Sequence, residues 1–231
     1  MKPIALTALL IASSAACAQK DGKDGDAPQA PVKITEITLA NPDFEEAMTG
    51  VEIPGWTSMQ HGGEPAYEIV TDKRRPSSGK QAARITRTKE EYYGLIRQRL
   101  PAPQPGLIVE LSADLRTDEV GPRGWRTFIH FEDGGYVIGE VESEPMTGTQ
   151  KKWQRVTIRG PVPAHTRSIS IGVELLDGGT GWIDDVHLRV IDDGSAKPVE
   201  NKPHLLGLPR VAPKPKPSET PADKPADQKK P

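Results

Sequence analysis

Cysteine and aromatic residues are scarce in this sequence. Cys17 is the sole cysteine among 231 residues, so no disulfide within the chain can stabilise a fold. Aromatic residues make up 5% of the sequence, which is modest for a protein that stacks rings on a ligand. Basic and acidic residues are nearly balanced, at 30 and 32, so the charge gives no indication of a nucleic-acid partner.

Catalytic motifs are also absent from the sequence. It contains no Gly-x-Ser-x-Gly elbow and no His-Glu-x-x-His pair, and its five histidines show no metal-ligand spacing. Asp184 and Asp185 are adjacent in a predicted strand, which points them to opposite faces. The sequence therefore predicts a protein that is not an enzyme.

The N-terminus indicates export. Residues 1–18 combine Lys2, a short apolar run and small residues, as a bacterial signal peptide does. The stretch Ser14-Ala15-Ala16-Cys17 resembles a lipobox, which makes Cys17 the predicted lipidation site and a lipid anchor the only predicted contact with a membrane. Ordinary secretion, with cleavage after Ala18, is the alternative. The predicted location is the periplasmic or outer-membrane face, or the secreted or periplasmic fraction.

Two segments flank a predicted single domain at residues 34–192. Residues 19–33 are rich in Gly, Asp and Pro and are predicted to be a flexible linker. Residues 193–231 contain Lys-Pro repeats, whose missing amide donors disfavour helix and sheet, so a disordered tail is predicted.

Short alternating or β-branched runs fill the middle of the chain. Turn residues such as Asp133-Gly134-Gly135 separate them, and helical periodicity is almost absent. The pattern predicts an all-β, two-sheet jelly-roll β-sandwich. The predicted strands are residues 34–39, 66–71, 81–86, 95–100, 107–116, 125–131, 136–141, 153–158, 168–175 and 182–190.

Several short motifs in this region resemble the carbohydrate-binding modules of families 4 and 9, which are galactose-binding-like jelly rolls. The first, Asn41-Pro42-Asp43-Phe44-Glu45, resembles the family's opening Asn-Gly-x-Phe-Glu, although Pro42 replaces the glycine. The resemblance covers most of residues 39–191. Its other elements are Ile53-Pro54-Gly55-Trp56, Ser78-Gly79-Lys80-Gln81-Ala82, Thr147-Gly148-Thr149 with Trp153, and residues 179–186.

The resemblance implies a structural calcium site. The matching positions are the carboxylate of Glu45, the backbone carbonyl of Lys80 and the carboxylate of Asp185, and oxygen atoms of these kinds are what Ca²⁺ prefers. A cation joining the first and last strands would add its binding free energy to folding. The alternative is that Glu45 caps a turn while Asp184 and Asp185 bind loop amides.

The resemblance also implies a glycan-binding face. Sugars are held by aromatic faces and by planar polar groups that bond pairs of hydroxyls. Trp56, Trp153 and Trp182 fall in motifs that serve packing and are predicted to be core. Alternation leaves Trp125 as either core or ligand contact. The predicted ligand-binding residues are Tyr92, Trp125, Arg126, Gln98 and Tyr136.

These features predict an exported, non-catalytic protein that binds a glycan or cell-envelope polysaccharide. One alternative is a structural or protein-interaction lipoprotein on the same fold, with an envelope protein as its partner. Another is an accessory subunit or enzyme acting on glycosidic bonds, which a suitably spaced pair of acids would favour.

Overall fold

The computed structural model describes residues 31–195 of the chain, so the predicted signal peptide, Cys17, most of the linker and the tail from residue 196 lie outside the described residues. No helix in residues 31–195 is long and apolar enough to cross a membrane. The described part is all-β. Its strands are β1 (Lys33–Ile37), β2 (Thr57–Gln60), β3 (Tyr67–Asp72), β4 (Ala82–Arg87), β5 (Gly94–Pro101), β6 (Ile108–Asp133), β7 (Tyr136–Glu142), β8 (Met146–Pro161), β9 (Ser168–Leu175) and β10 (Thr180–Asp192).

All strand pairs are antiparallel, and hydrogen bonds join the strands into one continuous sheet that folds over on itself. In what we call the first sheet, β3, β4, β1, β10, the first part of β6 and β8 lie together. In the second sheet, β2, β5, β9, the last part of β6 and β7 lie together. This is the predicted jelly-roll sandwich.

Strand β6 belongs to both sheets. Its residues 108–118 pair with β10, and its residues 125–132 pair with β9. Between them the backbone turns at Glu119 and Gly124, which have φ values of 54° and 87°. Gly124 suits this conformation because a side chain there would be strained, and its Cβ would lie 2.4 Å from Pro145. The turn carries β6 from one layer to the other.

The core fills the space between the sheets. Leu111 and Leu115 of the first sheet and Ile129 and Ile171 of the second are at most 1% exposed. Trp125 is completely buried at the point where β6 enters the second sheet. Gly181 lies against its ring, and a Cβ there would come within 2.3 Å of the indole. A glycine is therefore required opposite Trp125.

Residues 38–56 close one side of the core without forming a strand. Phe44, Ile53 and Trp56 are at most 4% exposed, and the rings of Phe44 and Trp56 pack with centroids 5.1 Å apart. Trp56 Nε1 donates to the carbonyl of Asn41 at 3.0 Å. Asn41 Nδ2 in turn donates to the carbonyl of Pro54 at 2.9 Å. The first two family-like motifs thus bind each other.

The last strand corrects the predicted faces. Simple alternation along residues 182–190 predicts that Trp182 and Asp184 share one face with Val186, Leu188 and Val190. A bulge between Asp184 and His187, with Asp185 at a φ of 49°, shifts the register. Ile183 and Val186 therefore both face the core, whereas Trp182 lies on the outer face beside Arg116.

Trp153 also departs from its predicted core position. It is partly exposed on the outer face of the first sheet, where its ring lies against the Arg116 guanidinium. Its Nε1 donates to the carbonyl of Arg75 at 2.9 Å. The indole packs on the surface because alternation along β8 turns Val156 and Ile158 inward and Trp153 outward.

Asp72, at the end of β3, joins this strand to β10. Its carboxylate accepts hydrogen bonds from Trp182 Nε1 at 2.9 Å and from Arg74 Nε at 3.1 Å, and it is 7% exposed. Burial alone would raise the pKa of Asp72, but the bonds from Arg74 and Trp182 outweigh it and lower this pKa to about 2.

We expect Asp72→Asn to destabilise the fold in a pH-dependent way. The lowered pKa of Asp72 supplies stability above the unfolded-state pKa near 3.8, and this stability is lost as the pH falls toward 2. Urea unfolding should show a free-energy loss of about 2 kcal/mol at pH 7 that shrinks between pH 4 and pH 2. Glu68→Gln, at a half-exposed partner of Arg84, is the control and should change little. A loss that does not vary with pH would contradict this account of Asp72.

Candidate functional site

The outer face of the second sheet carries a cluster of charged groups. Along the last part of β6, Ile129 and Phe131 point into the core, so Arg126, Phe128 and His130 point outward. Strand pairing then places partners beside them. Arg126 lies opposite Glu174 of β9, and on β7 Glu142 lies opposite Phe128 and Glu140 opposite His130. We call Arg126, His130, Glu140, Glu142 and Glu174 the acid–base cluster.

Arg126 bridges two carboxylates of this cluster. Its Nη1 lies 2.5 Å from Glu142 Oε2, and its Nε lies 3.9 Å from Glu174 Oε1. That Nε is buried and has no hydrogen-bond partner in the described part of the chain. The guanidinium therefore holds Glu142, while its Nε–H remains unused as a hydrogen-bond donor.

Glu174 is the most perturbed acid of the cluster. Burial, together with the negative charge of Glu142, raises the pKa of Glu174 to about 7, although the charge of Arg126 opposes the shift. Near neutral pH this carboxyl is therefore partly protonated and can donate as well as accept a hydrogen bond.

Phe128 and His130 form the floor of the cluster. Their rings stack with centroids 4.2 Å apart and an interplanar angle of 22°. Phe128 is fully buried, and burial lowers the pKa of His130 below its usual value. The imidazole is therefore neutral at pH 7 and presents one donor and one acceptor nitrogen.

Glu132 closes the other end of the face. It is 3% exposed, and its carboxylate accepts from Ser170 Oγ at 2.7 Å and from Ser168 Oγ at 3.1 Å. Arg99 Nε lies 2.8 Å from it and Arg97 Nη1 lies 3.6 Å from it. This charge is fully compensated, so it orients Arg97 and Arg99 rather than offering a free acceptor.

Three members of the acid–base cluster could hold a divalent cation. One ligand atom from each of His130, Glu140 and Glu142 lies within 4.8 Å of the others. The spacing of histidines along the chain missed this set because the donors sit on two paired strands. A signal was present, since the Asp133-Gly134-Gly135 turn predicts a hairpin in which residue numbers near 130 and 140 face each other.

Of the predicted ligand-binding residues, Arg126 lies in the cluster and two others are corrected by the structure. Trp125 is 0% exposed, so the core alternative holds and its ring is closed to a ligand. Gln98 is 8% exposed, and its carboxamide binds the backbone of Ala40 and Gly55 at 2.9–3.0 Å. It faces residues 38–56, which close one side of the core, because alternation along β5 turns it inward with Ile96.

The two predicted tyrosines lie at opposite ends of the face. Tyr92, 64% exposed, precedes β5 at the Arg126 end and packs edge-on against His61 at 4.8 Å. Tyr136, 79% exposed, pairs with Asp133 at the far end. Six strand residues separate Arg126 from Asp133, so these two positions lie roughly 20 Å apart. The structure does not bring these rings together.

The predicted calcium donors are only partly adjacent. Glu45 Oε1 accepts from the amides of Lys80 and Gln81 at 2.7 and 3.0 Å, and these bonds lower the pKa of Glu45. The carboxylate of Asp185 instead pairs with Arg155 and, at 3.0 Å, with His187. The contact between Glu45 and Lys80 is made by the amide of Lys80 rather than by its predicted carbonyl ligand, and Asp185 would have to exchange a cationic partner to join them.

Asp184, next to Asp185, binds the same loop as Glu45. Its carboxylate is completely buried and accepts from the amides of Ser77 and Ser78 at 2.8 and 2.9 Å. The carboxylates of Glu45 and Asp184 thus hold residues 77–81 between the start and the end of the domain. These bonds to loop amides are the ones expected if no calcium is bound. Calcium binding itself stays a prediction.

We expect Trp125→Ala to cost stability. Removing a fully buried indole leaves a cavity, and such changes cost roughly 3–5 kcal/mol. Tyr136→Ala, at an exposed ring, is the control and should change the free energy of unfolding by less than about 0.5 kcal/mol. Chemical unfolding of both variants measures the difference, and equal stabilities would place the Trp125 ring outside the core.

Known proteins match this chain in fold only. No protein-family model matches it, and no curated protein matches its sequence. Among solved structures, the enzymatically active domain of tailspike protein 4 of bacteriophage CBA120 has a TM-score of 0.53 and 15% identity, covering 65% of this chain and 21% of that chain. The CBM22-1–CBM22-2 tandem domain of Xyn10C from Paenibacillus barcinonensis has a TM-score of 0.50 and 19% identity, covering 70% of this chain and 48% of that chain.

A single CBM22-1 xylan-binding domain of the same Xyn10C matches with a TM-score of 0.48 and 18% identity, over 66% of this chain and 92% of that chain. This chain therefore spans about a fifth of the tailspike chain and about half of the tandem domain. At such identities the likeness shows fold alone. Residues 33–192 have the jelly-roll fold found in carbohydrate-binding modules.

Proposed function

We propose that this protein is a carbohydrate-binding protein whose ligand lies on the outer face of the second sheet. The observation that carries the proposal is the acid–base cluster. It groups a guanidinium, an imidazole stacked on the ring of Phe128, and three carboxyl groups on one sheet face. Planar groups of this kind bond the paired hydroxyls of sugars.

The fold supports the same proposal. The tandem domain of Xyn10C, with which the chain shares its jelly roll, consists of carbohydrate-binding modules. A fold does not by itself determine a function, so the argument rests on the residues of the face. Assignment to families 4 and 9 in particular remains a proposal.

The geometry favours an extended glycan. Tyr92 offers an exposed ring at the Arg126 end, where a sugar can stack, while Arg97 and Arg99 continue the polar face toward Glu132. A ligand that runs along this face meets the cluster in the middle. With few aromatic contacts, affinity would come mainly from hydrogen bonds, and a single sugar ring would bind weakly.

A polysaccharide array tests the proposal directly. We expect at least one glycan to bind, and Arg126→Ala and Glu142→Gln to weaken that binding at least tenfold, because each removes a charge-assisted hydrogen bond. Arg167→Ala is the matched control, since Arg167 is an exposed arginine paired with Asp133 away from the cluster. If a folded sample bound no glycan, the scaffold function with an envelope protein partner would replace this one.

Melting curves and the same array, each run with calcium and with chelator, test the predicted calcium site. Calcium should raise the melting temperature of the protein, and Glu45→Gln should remove that increase because it removes a carboxylate donor. No shift in the unmodified protein would favour the account in which Glu45 and Asp184 hold the loop through its amides. Glycan binding that is independent of calcium would leave the proposed glycan face intact.

Hydrolysis of glycosidic bonds is a second candidate function. It is favoured by Glu174 and Glu142, two carboxyl groups that approach the same Arg126 side chain in different environments. Release of new reducing ends from a bound glycan, abolished by Glu174→Gln, would establish it. Binding without such release leaves the non-catalytic function.

We further propose that the protein is exported and anchored through lipidated Cys17, as the N-terminal sequence indicates. Cell fractionation should place the protein without substitutions in the membrane fraction. Intact-mass measurement should show the added mass of the lipid. Cys17→Ser should move it to the soluble exported fraction. A mature N-terminus after residue 18, with no cysteine, would instead show ordinary secretion.

A further inference from the structure

A recess lies on the outer face of the first sheet, on the opposite side of the sandwich from the acid–base cluster. It has a volume of 380 Å³, and its walls include Arg74, Arg75, Arg116, Lys151 and Trp182. Neither the acid–base cluster nor the predicted calcium donors contribute to it. The recess is therefore separate from the face proposed to bind glycan.

Arg116 is fixed at the base of this recess. It is 7% exposed, and its guanidinium lies between two indoles, 4.2 Å from the ring centroid of Trp182 and 4.9 Å from that of Trp153. Its Nη1 and Nη2 donate to the carbonyls of Arg75 and Arg74 at 3.1 and 3.3 Å. Two of the five N–H groups are thus used, and a planar fork is held in place with donors remaining.

The backbone at Arg75 is in an unusual conformation. Its φ is 61°, in the left-handed region that long side chains seldom adopt. Its carbonyl accepts from both Arg116 Nη1 and Trp153 Nε1, and these two bonds hold the residue there. Strained residues that the surroundings keep in place are common at ligand sites. Here the strained backbone belongs to Arg75, whose side chain forms part of the wall of the recess.

Positive charge exceeds negative charge in this recess. Four of its side chains are cationic, against the two acids Asp72 and Asp118. Asp72 is already engaged by Arg74 and Trp182, and Asp118 accepts from Thr149 Oγ1 at 3.0 Å. Asp72 and Arg74 thus offset each other, and an anion would meet the three cations Arg75, Arg116 and Lys151 against the single negative charge of Asp118.

We propose that this recess binds the carboxylate of an acidic sugar, such as a uronic acid residue of a polysaccharide. A guanidinium fork matches the two oxygens of a carboxylate. Trp153 lies beside the recess rather than in its lining, in contact with Arg75 and Arg116, and its partly exposed indole offers an apolar surface for the pyranose ring that carries the acid. Inorganic phosphate or sulfate has no ring to use that surface.

Calorimetric titration of the full-length protein tests the proposal. The probes are an oligogalacturonate, the same oligosaccharide with its carboxylates reduced to alcohols, and inorganic phosphate and sulfate. We expect the oligogalacturonate to bind at least tenfold more tightly than the reduced sugar, and Arg75→Ala and Lys151→Ala each to remove most of that difference. Both side chains are exposed, so these variants should fold, and a thermal melt checks this.

Two controls separate this site from the glycan-binding face. Lys152→Ala, at the neighbouring exposed lysine outside the recess, should leave uronate binding unchanged, and Arg126→Ala, in the glycan-binding face, should leave the tighter binding of the acidic over the reduced sugar in place even where it weakens both. Equal binding of the acidic and reduced sugars, or an equal effect of Lys152→Ala, would overturn the proposal. Phosphate or sulfate binding as tightly as the uronate would show a small-anion site instead. Loss of uronate binding in Arg126→Ala alone would place the ligand on the other face.

Discussion

The passage of β6 from one sheet to the other is the constraint on which the rest of the structure depends. A single strand pairs with β10 and β8 in the first sheet and with β9 and β7 in the second. No disulfide can join the layers in residues 31–195, which contain no cysteine, so the shared strand and the core hold them in register. Trp125, buried where β6 enters the second sheet, anchors the passage.

Both candidate binding faces are built on this strand. Arg116 and Arg126 lie ten residues apart on β6, yet the turn at Glu119 and Gly124 puts them on outer faces of different sheets. The environments of the two arginines differ. Arg126 is surrounded by carboxyl groups that outnumber it and that can accept from hydroxyl ligands, whereas Arg116 lies among other cations, which suits an anion.

The sequence predicted the strands well because alternation and turn residues are local signals. Each predicted strand has a counterpart in the structure, although the predicted strands 107–116 and 125–131 are two parts of the single strand β6. The additional β2 (Thr57–Gln60) is four residues long and mostly exposed, so its pattern is weak. The bulge at Asp185 could not be predicted by counting, because one extra residue reverses every later face. That error put Trp182 on the wrong side.

The candidate sites depended on non-local information. Periodicity left Trp125 open between core and ligand, and only the fit of its ring against Gly181 decides the question. Gln98 resembles a sugar-binding amide until its bonds to Ala40 and Gly55 are known. The pairing of Arg126 with Glu174 and Glu142 joins three strands, so it cannot be predicted from the spacing of these residues along the chain. Arg126 was predicted because its own strand was predicted correctly.

The separation of the two faces has a physical consequence for any polymer that the protein binds. Packed layers about 10 Å apart transmit little from one outer face to the other unless the core rearranges, and this core is filled from both sides. The faces should therefore bind independently, and one molecule could hold two polysaccharide segments at once. When one weak site has bound a polymer, the effective concentration of that polymer at the other site is raised. Modest contacts at each face are therefore enough to retain the polymer.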